Sequence, residues 1–257
     1  MNFSADTALL VEIRPSPNHN ERRGGGAPDM LLLHYTGMPD AQGALDRLCD
    51  PASDVSCHYF VFEDGRIVQL VAEARRAWHA GVAAWAGERD INSRSIGIEI
   101  ANPGHEGDYP EFPEAQMQAV EALCRDIVAR RAIAPERVLA HSDVAPRRKR
   151  DPGEQFDWAR LARAGVGLWV EPVPIQGGDG LGPGDAGPAV AGLQRDLARL
   201  GYALTVNAVF DEATCDVVVA FQRHFRQGRV DGRGDTSTLE TLKALLRLLM
   251  AGRETRP

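Results

Sequence analysis

Two histidines and one aspartate in this chain could together hold a metal ion. His34 ends one apolar segment, His141 ends another, and Asp151 follows ten positions later in HSDVAPRRKRDPG. This ligand set fits zinc with one position left for water, and such a site can lower the pKa of that water and polarise an amide carbonyl. Each residue alone also fits a structural role, as a hydrogen-bonded histidine or a turn-forming aspartate. Spacing alone does not bring such distant residues together.

Two further charged residues, Glu99 and Lys149, lie in a strand-like segment and in a basic run. Glu99 alternates with Ile98 and Ile100, so it occupies the opposite strand face. Apolar neighbours would raise its pKa towards the working range. A solvent-facing position on an edge strand is the alternative. Lys149 lies in the basic run RRKR, and such runs are usually solvated surface.

Strand-like segments must position these residues. Residues 29–35 (DMLLLHY) form a near-continuous apolar run, which is typical of a central strand buried on both faces. Residues 58–62 and 67–71 flank an Asp-Gly pair, which predicts a β-hairpin. Residues 95–101 alternate, and the short strand at 137–140 ends directly at the second histidine.

Helical periodicity completes the first domain. A short helix is expected after Pro39-Asp40, and apolar residues recur at helical spacing over residues 113–131. Strands mixed with helices, including one hairpin, predict an α/β domain with a mixed sheet flanked by helices.

A Gly/Pro-rich segment, residues 173–186, has the composition of a linker. It separates a domain at residues 1–172 from one at residues 187–257. Three helices, the second capped by Asp211 and the third by Asp235 or Thr236, predict a small all-α second domain.

Composition excludes several classes of protein. The formal net charge of −7 argues against nucleic-acid binding. No run approaches the roughly 18 apolar residues of a membrane span, and the N-terminal residues do not resemble an export signal. The four cysteines contain no CxxC pair, so we expect small buried thiols rather than disulfides or a cysteine-based zinc site.

Five segments resemble successive motifs of one enzyme family: LLLHYTG, SCHYFVFEDGRIVQLV, RAWHAGVAAW, INSRSIGIEIANPG and LAHSDVAPRRKRDPGEQFDW. In this order they are similar to the type-2 N-acetylmuramoyl-L-alanine amidases, and most similar to the bacterial AmpD/AmiD-like branch. The family shares a fold with the peptidoglycan recognition proteins and phage amidase-type lysozymes.

The resemblance implies a role for each candidate residue. One Zn²⁺ per chain would be held by His34 of HYT, His141 of HSDVAP and Asp151 of KxDPG. Glu99 of IGIEI would be the general base. Lys149 would stabilise the oxyanion and could donate a proton.

The same resemblance suggests substrate contacts. His79 of AWHAG is similar to a substrate-facing position near the zinc. Trp78, Trp85 and Asn102 could line the cleft, because a sugar-peptide ligand needs flat apolar faces and amide partners. Trp78 could equally belong to the core, and His58 is interpreted as mainly structural.

The second domain resembles the three-helix peptidoglycan-binding module. The residues that carry this resemblance are Val190, Leu193-Gln194, Leu197, Gly201-Tyr202, Phe210, Thr214, Phe221-Gln222, Val230-Asp231-Gly232, Thr238 and Leu242. The glycine-rich turn that usually precedes the second helix reads NAVFDEAT here. This departure leaves the ligand contacts of the module open.

These observations predict a zinc-dependent amidase that cuts between N-acetylmuramic acid and L-alanine in peptidoglycan or (anhydro)muropeptides. A non-catalytic peptidoglycan-binding protein on the same fold is one alternative. A zinc peptidase acting on stem peptides is another, although the chain contains no HExxH. The wall-binding module favours the cell envelope or periplasm, whereas the lack of a visible export signal favours the cytoplasm.

Overall fold

The computed structural model describes residues 3–254, with side chains as far as Gly252. The outermost residues of the two predicted domains, 1–2 and 255–257, therefore lie outside the described part. No helix within the described part is long and apolar enough to cross a bilayer.

The strands form one mixed sheet of six and a separate pair. In chain order they are Glu12–Ile13 (β1), His19–Glu21 (β2), Met30–Tyr35 (β3), Tyr59–Val61 (β4), Ile67–Gln69 (β5), Arg75–Ala77 (β6), Ser95–Ile100 (β7) and Val138–Ala140 (β8). The main sheet has the order β1-β5-β4-β7-β3-β8, and β2 pairs with β6. In the main sheet β4 and β5 form the predicted antiparallel hairpin, while the other pairs are parallel. The predicted mixed sheet is confirmed.

Eight helices accompany the strands in the described residues: Ala41–Cys49 (α1), Ile91–Arg94 (α2), Glu114–Arg131 (α3), His141–Val144 (α4), Trp158–Arg163 (α5), Pro188–Leu200 (α6), Glu212–Phe225 (α7) and Thr236–Glu254 (α8). Aspartate side chains cap three of the predicted helices, α1, α7 and α8. Asp40 accepts a hydrogen bond from Gly43 N at 2.8 Å, Asp211 from Thr214 N at 2.9 Å and Asp235 from Thr238 N at 2.7 Å.

The central strand β3 separates two hydrophobic cores. Because side chains alternate along a strand, Leu31 and Leu33 pack on one face with residues of α3 such as Val120. Met30 and Leu32 pack on the other face. The alternation places His34 on the same face as Met30 and Leu32.

The three C-terminal helices, α6 to α8, pack directly on the α/β part of the chain. Their buried residues, including Leu197 and Phe221, belong to the same hydrophobic cluster as Met30 and Leu32. The segment predicted as a linker also packs on these helices. Val173 N donates to Thr241 Oγ1 at 3.1 Å, and the backbone of Leu181 pairs with that of Gly234.

All four cysteines are free thiols, and two of them are less buried than the sequence predicts. Cys57 and Cys124 are fully buried, whereas Cys49 and Cys215 are partly buried. Burial raises the pKa of each of these thiols.

Candidate active site

The carboxyl ends of three parallel strands bring the site residues together. His34 on β3 pairs in register with Glu99 on β7. On the other side, Leu33 pairs with Ala140, so His141 begins α4 directly beyond the end of β8. Ends of adjacent parallel strands share one sheet edge, where α/β proteins expose functional side chains.

His34, His141 and Asp151 converge at this edge. Their ligand atoms all lie within 4.8 Å of one another, and all three residues are buried. Nδ1 of His34 lies 2.8 Å from Nδ1 of His141 and 3.1 Å from Oδ2 of Asp151. Nδ1 of His141 lies 2.9 Å from the same Oδ2. Within the described residues, this is the one group of histidines, cysteines and carboxylates found with such geometry.

The hydrogen bonds around His141 define which ring nitrogen faces the cluster. Its Nε2 lies 3.1 Å from Ala80 O, and a carbonyl only accepts, so Nε2 donates. Nδ1 therefore presents a lone pair to the acceptor Oδ2 of Asp151. Two acceptors this close need a cation or a proton between them.

The spacing of the three atoms tests whether zinc fits. Zinc bonds of about 2.0–2.2 Å would set tetrahedral nitrogen and oxygen ligands roughly 3.3 Å apart. The observed separations of 2.8 to 3.1 Å need only a small expansion. The donor set and its convergence therefore fit a zinc ion.

The electrostatics keep these ligands in their metal-binding protonation states. Burial, followed by the nearby His141, lowers the pKa of His34 to about 4. Burial alone would raise the pKa of Asp151, but the two imidazoles outweigh it and hold that pKa well below its usual range. At neutral pH His34 is therefore neutral and Asp151 is ionised, as metal ligation requires.

His79 contacts His34 at the ring nitrogen that faces away from the cluster. Its Nδ1 lies 3.0 Å from Nε2 of His34, and its Nε2 lies 3.4 Å from Ser95 Oγ. Ser95 Oγ donates to Ile91 O at 2.6 Å, so it is free to accept from His79. This chain of donors leaves Nε2 of His34 protonated and its Nδ1 lone pair directed at the cluster.

Glu99 lies on the same face as the ligands, opposite Ile98 and Ile100, which are in the core. Its Oε2 is buried without a hydrogen-bond partner in the described residues. Burial, with the charge of Asp151, raises the pKa of Glu99 well above its ordinary value, while Lys149 partly opposes the shift. A buried acceptor without a partner is suited to a water or substrate proton.

A cleft of about 590 Å³ opens over this edge. Its walls include the candidate residues Trp78, His79, Glu99 and Lys149, together with two of the ligands. The far wall consists of residues that sequence reasoning missed, from α1 and the loops around it: Thr36, Met38, Ala44, Arg47, Leu48, Val55 and Ser56. The sequence predicts α1, but no residue pattern indicates which of its sides faces the cleft.

Two residues expected to line the cleft lie elsewhere. The Asn102 amide is used within its own loop, where Nδ2 donates to Pro110 O at 2.9 Å and Oδ1 accepts from Gly104 N at 2.8 Å. Trp85 is buried edge-to-face against Tyr202 of the C-terminal helices. Both side chains already have partners in the fold, so the expected cleft-lining positions are not observed.

His58 has the structural position expected of it. Its Nδ1 accepts from Gly97 N at 3.0 Å, and its Nε2 lies 3.1 Å from Arg75 O. Burial, followed by the charge of Arg22, lowers its pKa to about 3.

The comparisons with known proteins agree with this geometry. Residues 24–154 match the family described as N-acetylmuramoyl-L-alanine amidase, and residues 186–242 match a peptidoglycan binding domain. N-acetylmuramoyl-L-alanine amidase AmiD of Escherichia coli (strain K12) is 39% identical over 233 residues, which cover 84% of this chain and 82% of that protein. 1,6-Anhydro-N-acetylmuramyl-L-alanine amidase AmpD of Enterobacter cloacae is 33% identical over 175 residues, covering 61% of this chain and 91% of that protein.

Solved structures extend the similarity to the fold. The complex of E. coli AmiD with anhydro-N-acetylmuramic acid-L-Ala-D-gamma-Glu-L-Lys superimposes with a TM-score of 0.75 at 36% identity, covering 89% of this chain and 92% of that chain. AmpDh3 from Pseudomonas aeruginosa, in complex with anhydromuramic pentapeptide, gives 0.72 at 29% identity and covers 97% and 99%. Family match, relatives and fold agree, and the chain belongs to the N-acetylmuramoyl-L-alanine amidase family.

Proposed function

We propose that this chain is a zinc-dependent amidase that hydrolyses the bond between N-acetylmuramic acid and L-alanine. The observation that carries the proposal is the convergence of the Nδ1 atoms of His34 and His141 with Oδ2 of Asp151 at the edge of an open cleft. The family supports the reaction, since AmiD and AmpD carry this activity in their names.

Each side chain has a separate task in the proposed reaction. Zinc bound by the three ligands would supply Lewis-acid activation of the attacking water and of the amide carbonyl. Glu99 takes the proton of the water, because its Oε2 is an unpartnered acceptor beside the cleft. Lys149 lines the same cleft and places positive charge where the oxyanion forms. His79 holds the ring of His34 in position.

The cleft suits a muropeptide. Trp78 contributes an aromatic wall, and the neighbouring Met38 and Val55 are apolar, whereas Arg47 and Lys149 are cationic. A sugar ring and an anionic stem peptide present matching surfaces. We therefore propose peptidoglycan or its muropeptide fragments as substrate.

We propose that residues 1–172 form the catalytic domain and residues 187–257 a wall-binding domain, joined by residues 173–186. A wall-binding domain raises the effective concentration of the enzyme on a polymer, whereas small soluble turnover products give little reason for one. The proposed site of action is therefore the cell envelope.

The first experiment separates zinc binding from catalysis. His34→Ala is expected to lose both zinc and turnover, because one of three ligands is removed. Glu99→Ala is expected to retain zinc, measured by atomic absorption, and to lose turnover of a defined muropeptide. Arg147→Ala, in the same basic run as Lys149 but exposed and outside the cleft wall, is the control and should behave as wild type. Full activity in Glu99→Ala would remove this residue from the mechanism.

The second experiment identifies the substrate and the bond. Intact sacculi and soluble anhydro-muropeptides are digested separately, with and without a chelator, and the products are analysed by mass spectrometry. Free stem peptides beginning with L-alanine, released from sacculi only without chelator, are the expected products. Cleavage within the stem peptide would show a peptidase, and binding without cleavage would show a recognition protein.

A further inference from the structure

A fully buried carboxylate lies two residues after the ligand His141. Asp143, on α4, has no exposed surface. Its carboxylate accepts three hydrogen bonds, from Ala140 N at 2.8 Å, Tyr202 Oη at 2.6 Å and His224 Nδ1 at 2.6 Å. Two of these three donors come from the C-terminal domain.

The two donors from the C-terminal domain are themselves enclosed by the catalytic domain. Tyr202 and His224 are each 2% exposed. The ring of Tyr202 packs edge-to-face on Trp85 at 4.9 Å, and the ring of His224 stacks on Trp158 at 3.7 Å. Water is therefore excluded from the cluster of Asp143, Tyr202 and His224, and a missing donor there is not replaced by solvent.

The same domain also contacts the loop on the other side of His141. Ala80 O accepts the hydrogen bond from the ring of His141. Further along this loop, Ala86 N donates to Gly201 O at 2.7 Å. Gly201 is so close to Trp85 that a Cβ atom at that position would lie 2.4 Å from the indole ring. Both supports of His141, the helix α4 and the loop that holds its Nε2, are thus in contact with the C-terminal domain.

We propose that the C-terminal domain is a structural part of the metal site, and that Tyr202 and His224 are positioning residues for His141. This role goes beyond wall binding, and it rests on the zinc site proposed above. The domain acts through Asp143, which fixes α4, and through Trp85, which fixes the loop that orients the imidazole.

The test uses single-atom or near-isosteric changes in the full chain. Tyr202→Phe removes only the hydroxyl, and His224→Phe keeps a planar ring on Trp158 while removing the Nδ1 donor. His224→Asn places an amide donor where Nδ1 lies. Zinc affinity is measured by competition with a chromophoric chelator, and kcat and KM are measured on a soluble anhydro-muropeptide, for which wall binding is irrelevant.

We expect Tyr202→Phe and His224→Phe each to weaken zinc binding by about tenfold or more. They should lower kcat while KM stays close to wild type, and His224→Asn should restore much of the affinity. Tyr59→Phe is the matched control, because Tyr59 Oη donates at 2.7 Å to the buried Glu73 away from the site. It should lose stability and keep wild-type zinc affinity.

Wild-type zinc affinity in both phenylalanine variants would overturn the inference, and so would an equal loss of affinity in Tyr59→Phe. If His224→Phe does not fold, Tyr202→Phe decides the question alone, because it removes a single oxygen atom. If the wild-type chain binds zinc but hydrolyses no muropeptide, the proposed function fails while the zinc affinities still decide this inference.

Discussion

Each imidazole of the site uses one nitrogen for the protein and leaves the other for a cation. Nε2 of His141 is committed to a carbonyl, and Nε2 of His34 is committed to His79. Hydrogen bonds to the two Nε2 atoms therefore orient the rings so that the Nδ1 lone pairs of His34 and His141 converge. Two unprotonated Nδ1 atoms that point at the same place cannot hydrogen-bond to each other, so this arrangement favours a bound divalent cation.

The loss of kcat/KM at low pH, the acid limb of the rate profile, should report the protonation of Glu99. A carboxyl group accepts a proton only after losing its own, so kcat/KM should rise with pH as Glu99 ionises. Burial raises the pKa of this carboxyl, and a zinc ion held beside it would lower that pKa. Lys149→Met should move this limb to higher pH, because Lys149 lowers the pKa of Glu99. Arg147→Met should leave it in place. An acid limb that stays in place in Lys149→Met would contradict the prediction.

Sequence reasoning grouped His34, His141 and Asp151 through family resemblance, because no local pattern joins His34 to His141 across the chain, and the structure brings the three together. It predicted the raised pKa of Glu99 from its apolar neighbours, and the structure agrees. It named no partner for His224, since the residue that binds it, Asp143, lies in another domain. Hydrogen bonds between distant segments leave no periodicity in the sequence.

At the scale of elements, the parallel arrangement of β3, β7 and β8 places the candidate residues His34, Glu99 and His141 at one edge. The long apolar strands and helices were predictable because each has several turns or alternations of pattern. The short β1, β2 and β6 and the four-residue α2 and α4 were not predicted. Segments of two to four residues carry too little periodicity, and pairing with neighbours determines them.

Gly97 on β7 leaves room for the ring of His79 to pack against the sheet. A Cβ atom at Gly97 would lie 2.6 Å from the ring of His79, which contacts His34. Gly97→Ala should therefore displace His79, weaken zinc binding and cost about 1–3 kcal/mol of unfolding free energy. Gly26→Ala is the control, because nothing lies within 4 Å of a Cβ atom there. Urea denaturation measures the loss of stability, and chelator competition measures zinc affinity. Unchanged zinc affinity in Gly97→Ala would show that the position of His79 does not affect zinc binding.

At the scale of the molecule, the two domains share one hydrophobic cluster. The composition of residues 173–186 predicts a boundary, and in chain order this segment lies between the last helix of the α/β part, α5, and α6. The sequence could not indicate that the domains pack together, because no local pattern relates Trp85 to Tyr202.

A shared core predicts one cooperative unfolding transition. The four tryptophans all precede residue 173, and Trp85 and Trp158 contact Tyr202 and His224. Their fluorescence therefore reports on the catalytic domain and its contact with the C-terminal helices, whereas far-UV circular dichroism reports on all of the helices. The two urea curves should coincide. Glu212→Gln, which removes an exposed ion pair with Arg147, should leave them coincident. Two separated transitions in wild type would show that the domains unfold independently.

The chemistry of the four thiols has a consequence for how the chain reaches this structure. Disulfide exchange proceeds through thiolate, and the raised pKa of each cysteine keeps little thiolate present at neutral pH. The native state also contains no covalent cross-link. Because no disulfide has to form, renaturation from urea should reach its full yield in dithiothreitol without an oxidant, so the fold imposes no oxidative maturation step.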